Sequence, residues 1–156
     1  MLEELIEQDG CMMDLNPTSV QTIRLNTIIT PDSFHVFPAA LRIGAVNAVV
    51  DNAASGGYVA AVDSKTGVVI SNAINYKREV HPRSKDIQGW QVPEWDVLLA
   101  MAKEIQALIP YQKYVGWDFA YTKRGWCVVE ANWGEFLNQF VTGQGVRAEF
   151  EKRIKT

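Results

Sequence analysis

Two carboxylates and an amide occupy positions from which they could hold a metal ion. Asp118 lies within the run Tyr114 to Tyr121, YVGWDFAY. Glu130 lies within Trp126 to Ala131, WCVVEA, and Asn132 follows directly. Both runs read as strands, and Thr122-Lys123-Arg124-Gly125 between them reads as a turn, so the pair is expected to fold as a hairpin. Side chains on a strand alternate faces, which sends Glu130 and Asn132 to one side. Pairing across the turn is expected to bring Asp118 close to both. Converging carboxylates repel, and burying them unpaired costs several kcal/mol. A hard cation offsets that cost. Mg2+ takes oxygen ligands, few of them from protein, and fills its shell with water and phosphate oxygens. Neither cysteine and neither histidine belongs to the Asp-Glu-Asn triplet, so Mg2+ or Mn2+ with a nucleotide is the chemistry these residue types suit. The same spacing also suits solvent-facing acids on an ordinary hairpin, with Asn132 only ending the strand. Spacing alone leaves both readings open.

Other segments offer weaker signals. The stretch DNAASGG ends at Gly57 and reads as a polar loop in which Gly56 and Gly57 permit close backbone approach and Asp51 or Asn52 could meet polar substrate groups. An ordinary turn with left-handed glycines accounts for it equally well. His81, before Pro82, is a candidate for substrate contact or proton transfer near neutral pH, or a structural residue of its loop. The five tryptophans could stack on sugars, but Trp95 falls on the apolar face of a helix, and core or rim packing is the simpler role. No Ser-His or Cys-His constellation suggests a protein nucleophile.

These residues need elements to position them. Val20 to Thr30, VQTIRLNTIIT, is rich in β-branched residues and reads as a strand. Phe34 to Ile43 reads as a second, with Pro38 marking an edge position or a bulge. Tyr58 to Val62 and Val68 to Ser71 read as short strands around the turn from Asp63 to Gly67. Residues 76–93 read as a long loop. Pro93-Glu94 starts the best helix of the chain, with Trp95, Leu98, Leu99, Ala102, Ile105 and Leu108 in helical spacing and Pro110 as its stop. A short helix is expected near Phe136 to Phe140, and another from Arg147 to Ile154. Strands joined mostly by hairpin-type turns predict an α+β fold: a mainly antiparallel sheet with helices packed on one side.

The chain has 156 residues, 47% hydrophobic and 21% charged, enough for one domain with a real core. No linker divides it, so residues 1–156 read as a single domain. A net charge of −3 without a basic face argues against nucleic acid. The two cysteines, Cys11 and Cys127, lack metal or disulfide spacing and read as free thiols of a reducing compartment. The start, MLEELIEQDG, is no signal peptide, and no apolar run approaches the ~20 residues of a membrane helix. The expected setting is cytoplasmic.

The pattern GWDFA followed by VVEAN resembles the metal-binding hairpin of the ATP-grasp superfamily. The segments LEELIEQ, LNPTSVQTIR, ALRIG, DNAASGG and the His81-Pro82 loop are similar to one branch, the ATP-grasp proteins associated with sugar transfer and polysaccharide synthesis. The resemblance implies that Asp118, Glu130 and Asn132 hold one or two Mg2+ ions, or Mn2+, against the phosphates of ATP. It implies that Glu4, in a hinge strand, meets adenine, and that Gln21, where the branch usually has Asn, stands at a cofactor-contact position. Many such ligases carry an Arg two residues before the hairpin Asp. Here that position is Gly116, so Arg24 and Arg42 are the candidates for binding the cofactor and for stabilising phosphoryl transfer. The fold implied is the C-terminal half of an ATP-grasp domain, beginning near the hinge, with the N-terminal subdomain absent from this chain. The function implied for the intact enzyme is ATP-dependent joining of a small-molecule carboxylate to an amine through an acyl phosphate, in polysaccharide or cell-envelope synthesis, with the isolated chain expected to be inactive. A kinase-like phosphoryl transferase with the same metals, and a non-catalytic binding or scaffold domain, are the alternatives. The sequence leaves the oligomeric state open.

Overall fold

Strand β1 (Thr22–Thr30) is the axis of the molecule, and all but one of its nine residues are buried. The computed structural model describes residues 5–45, 56–133 and 135–155. One edge of β1 pairs with two strands in succession, β2 (Ser33–Val36) and β3 (Ala39–Ile43). These are the two halves of the second run, parted at Phe37 and Pro38. Pro38 has no N–H for the ladder. The other edge of β1 pairs with β5 (Tyr114–Thr122). Strand β4 (Tyr58–Val62) extends the sheet beyond β3, and β6 (Gly125–Asn132) extends it beyond β5. The order is β4-β3-β1-β5-β6, with β2 beside β1, and every strand pairing is antiparallel.

The register sorts the side chains into two faces. Ile23, Leu25, Leu41, Ala60, Val115, Trp117 and Phe119 share one face and form the main core. Helix α3 (Trp95–Ala107) covers it with Trp95, Leu98 and Ala102. Full burial of a leucine such as Leu98 contributes roughly 1.5–3 kcal/mol. Trp95 fits because residue 67 is glycine: a Cβ there would lie 2.5 Å from Trp95 Cγ, and the backbone at Gly67 has φ +73°. A buried polar brace joins helix to sheet. Thr27 Oγ1 donates to Gln106 Oε1 at 2.6 Å and accepts from Trp117 Nε1 at 3.0 Å.

The opposite face carries Thr22, Arg24, Asn26, Arg42 and Asp118. Helices α4 (Leu137–Thr142) and α5 (Arg147–Ile154) pack against its two ends. Leu137 and Val141 sit on Ala40 and Val59. Phe136, Phe150 and Ile154 pack with Ile28, Phe37 and Tyr114. The α+β, mainly antiparallel expectation stands, and helices cover parts of both faces.

Two local expectations change. Val68 to Ser71 forms isolated bridges, Val62 with Val69 and Val68 with Gln91, rather than a strand. Ser71 Oγ accepts from Ala61 N at 2.8 Å, and a side chain thereby takes the ladder position that a strand backbone would fill. The 76–93 stretch contains a one-turn helix, α2 (Ser84–Ile87). A further one-turn helix, α1 (Gly10–Met13), is capped by Asp9 Oδ1 accepting from Cys11 N at 3.0 Å.

The β5–β6 hairpin contains the feature on which the site depends. Its turn is tight, with Thr122 opposite Gly125 at φ +100°. Near the turn, Tyr121 pairs with Trp126 and Phe119 with Val128. Counted on without interruption, that register would set Asp118 opposite Val129. A bulge at Val129 shifts the pairing by one residue, so that Asp118 faces Glu130 and Gly116 faces Asn132. A one-residue shift exchanges the faces of everything beyond it. Trp126 therefore joins the core, while Glu130, four residues on, points to the arginine face.

Candidate functional site

Three strands deliver the charged group. Arg24 on β1 and Asp118 on β5 are direct register partners. Arg24 Nε donates to Asp118 Oδ1 at 2.7 Å, and Arg24 Nη2 donates to Oδ2 at 2.8 Å. Arg42 on β3 adds Nη1 to the same Oδ2 at 2.7 Å. Asp118 is 2% exposed and Arg24 8%. Burial by itself pulls the Arg24 guanidinium toward losing its proton; the hydrogen bonds and charge of Asp118, with Glu130 behind it, more than reverse this and raise its pKa. Arg24 stays cationic.

Glu130 stands on the exposed side of β6, and its Oε1 accepts from Asn132 Nδ2 at 2.7 Å. The two are held side by side, directly across from Asp118 and Gly116. Asn26, two residues along β1 from Arg24, accepts from Tyr114 OH at 3.2 Å and donates Nδ2 to Glu135 O at 3.2 Å. Burial, opposed by Arg24, pushes the Tyr114 phenol up to about 12, so it remains a donor. Asn26 and Tyr114 escape a reading by residue type. Their signal is parity, since both share the face of Arg24.

The donor set suits a hard cation. Among the described residues no group of three His, Cys, Asp or Glu gathers anywhere, so a metal here would rely on two carboxylates, an amide oxygen and oxygens from elsewhere. Asp118 already accepts three N–H bonds, and a carboxylate has about four lone-pair directions, which leaves it one. Glu130 and Asn132 are therefore the principal candidates to hold Mg2+, with Asp118 as a third. Two guanidinium groups and two carboxylates balance in charge. Such a face can receive a ligand that carries both signs, a metal ion on anionic oxygens, without a large net electrostatic penalty.

Other sequence candidates lie apart from this cluster. The Gln21 side chain is fully buried in an amide network, with Nε2 donating to Asn16 O at 2.6 Å and Ser19 O at 2.5 Å and the backbone N donating to Gln8 Oε1 at 2.9 Å. His81 is 5% exposed and packs edge-on against Tyr58, with centroids 4.8 Å apart. Its Nδ1 accepts from Arg83 N at 3.1 Å, which places its proton on Nε2. Burial, then Arg83, lowers the His81 pKa. Gly56 takes φ +90°, a conformation that favours glycine, and Gly57 is buried. Glu4, Asp51 and Asn52 lie outside the described residues. Trp133, beside Asn132, is 76% exposed, while Trp117, Trp126 and Trp95 are buried. At the far end of the hairpin, Leu5, Ile6, Glu7, Lys123, Trp126 and Cys127 line a groove of about 890 Å³.

A mainly antiparallel α+β sheet thus carries a mixed-charge cluster of Arg24, Arg42, Asp118 and Glu130 on one face. The model of the family "sugar-transfer associated ATP-grasp" matches residues 1–155, and the chain belongs to that family. It is thus an ATP-binding, ligase-like type of domain. No curated protein and no solved structure matches the chain. No helix among the described residues is long and apolar enough to cross a membrane.

Proposed function

We propose that this chain is the metal-bearing half of an ATP-dependent carboxylate–amine ligase serving polysaccharide or cell-envelope synthesis. The observation that carries this reading is the pairing of Asp118 with Glu130, which gathers Asp118, Glu130 and Asn132 beside the buried Arg24 and the half-buried Arg42. Family membership supports it. When bound, Mg-ATP supplies an electrophilic γ-phosphoryl group that activates a carboxylate.

The chain's own residues do the rest. Glu130 and Asn132 offer oxygens from the exposed strand β6, and Asp118 offers what its arginines leave. Arg24 and Arg42 present fixed positive charge on the face where anionic oxygens gather. Because Asp118 orients both guanidinium groups beforehand, little reorganisation is needed as charge develops. Exclusion of water by α4 and the aromatic cluster of Phe136, Tyr114 and Phe150 strengthens those interactions. The groove at Leu5 to Glu7, where the ATP-grasp hinge is expected, offers apolar side chains to a purine base. The second half of the nucleotide cleft belongs to the complementary subdomain in the intact enzyme.

The test is Glu130→Ala in the intact enzyme, with Mg2+-dependent ATP consumption measured. Consumption should fall by two or more orders of magnitude. Consumption equal to wild type would remove the metal role. Release of free phosphate, rather than its retention on the acceptor, would mark the reaction as ligation.

A further inference from the structure

One acceptor on α4 is buried without a hydrogen-bond partner in the fold. Asn138, on α4, is 3% exposed, and its Oδ1 has no hydrogen-bond partner. Such an oxygen gives up its water without recompense, and folded proteins seldom leave one so.

The location of this oxygen gives it a meaning. Leu137 and Asn138 are the buried residues of α4. Leu137, with Val141 one turn on, rests on Ala40 and Val59. Ala40 is the register partner of Arg24, and Val59 that of Arg42. The inner side of α4 is therefore seated on the two positions that flank the guanidinium groups. Both ends of α4 are held there. Asn26 Nδ2 donates to Glu135 O just before it. Near its end, Arg78 Nη1 donates to Phe140 O at 2.8 Å and lies over the Phe140 ring at 4.4 Å. Arg78 has a left-handed backbone, φ +65°, in the turn that Asn75 organises by accepting hydrogen bonds from Lys77 N and Glu79 N. Strain of that kind persists only where the surroundings enforce it.

We propose that Asn138 Oδ1 receives an N–H or O–H of the acceptor substrate. A carbonyl oxygen can accept from a donor group and cannot bind phosphate or carboxylate, which are themselves acceptors. The division of labour follows: anionic groups go to Arg24 and Arg42, and the neutral or cationic donor goes to Asn138. A site built to hydrogen-bond such a group rejects analogues that lack it, because they leave its buried oxygen unpaired. The existence of the binding position rests on the orphaned oxygen; its assignment to the acceptor substrate rests on the ligase reading above.

The experiment compares the full chain as wild type and Asn138→Leu, which is close in volume and cannot accept. Without ligand, the leucine variant should melt about 2–4 °C higher, since an unsatisfied oxygen has been removed. A lower melting temperature would show that the oxygen is satisfied within the fold and would overturn the proposal. Ethylamine and ethylene glycol are then titrated into both 15N-labelled proteins. The amine, the glycol or both should move the Asn138 side-chain amide resonance in wild type, and apparent affinity should drop at least tenfold in Asn138→Leu. The arm that responds identifies the donor as N–H or O–H. No response in wild type, or equal binding to both proteins, would overturn the proposal. Mg-AMP-PNP is titrated separately into wild type. Its failure to bind beside an intact amine or glycol response would sink the nucleotide reading and leave the Asn138 position standing.

Discussion

Arg24 grips Asp118 from the neighbouring strand through two parallel bonds, Nε to Oδ1 at 2.7 Å and Nη2 to Oδ2 at 2.8 Å. The partners are 94 residues apart in sequence and are nearly excluded from water. Arg42 completes the arrangement, so one carboxylate is shared by two cations. Asp118→Ala would leave the buried Arg24 guanidinium without its bidentate partner and take from Arg42 its bond to Oδ2. The variant should lose roughly 3–5 kcal/mol of stability by urea denaturation. Glu130→Ala removes an exposed carboxylate and should stay within about 0.5 kcal/mol of wild type. Equal losses for the two would show that the arginines are not held as described.

The bulge at Val129 gives a sharper test of register. Deleting Val129 removes the extra residue and leaves an uninterrupted ladder in which Glu130 still faces Asp118 and Asn132 still faces Gly116. That variant should keep Mn2+ binding. Deleting Val128 and Val129 together sets Glu130 against Phe119 and Asn132 against Trp117, on the apolar face. The double deletion should abolish Mn2+ binding and lower stability, because a carboxylate then faces apolar neighbours. Intact metal binding in a folded double deletion would show that the face exchange does not occur.

Thr27 links three buried groups by one hydroxyl. Thr27→Val keeps the shape and removes the bonds to Gln106 and Trp117, leaving a buried amide oxygen and a buried indole N–H unpaired. A loss of roughly 2 kcal/mol is expected in chemical denaturation. Trp117 fluorescence provides a local reporter of the change.

Both histidines make stability fall on the acid side. His35 lies 3.2 Å from Glu149, yet its pKa is lowered, by burial first and Arg153 second, with Glu149 opposing. That contact is accordingly not a charged pair at neutral pH. His81 is lowered by burial and Arg83. A folded pKa below the unfolded value means that the unfolded chain binds the proton more tightly. The contribution is complete above the ordinary histidine value of about 6.5 and is lost as pH falls below it. The urea midpoint should drop from pH 7 to pH 5.5, and His35→Gln should flatten that drop. A midpoint that rises on acidification would reverse the sign and refute the burial argument.

Much of this was legible from local pattern. The β-branched run of β1, the helical spacing from Trp95 to Leu108 and the interruption at Pro38 each follow from chemistry within a few residues. The meeting of Asp118 with Glu130 was expected from simple alternation, but simple alternation across the observed turn would set Asp118 against Val129. The bulge that corrects the register leaves no mark in residue type, since Val128 and Val129 are equally good strand formers. Arg24 and Arg42 were candidates because Gly116 offers no cation, yet their joint hold on Asp118 depends on long-range register. Asn138 gave no signal, because an orphaned acceptor exists only once a helix has been docked.

The most direct test of the central claim is paramagnetic broadening by Mn2+ in the 15N-labelled chain with AMP-PNP present. Broadening should centre on the Asn132 side-chain amide and the backbone amides of Glu130 and Asp118, compete with Mg2+, and vanish in Glu130→Gln. Broadening that avoids the β5–β6 hairpin, or that persists unchanged in Glu130→Gln, would contradict the metal site and the nucleotide function built on it.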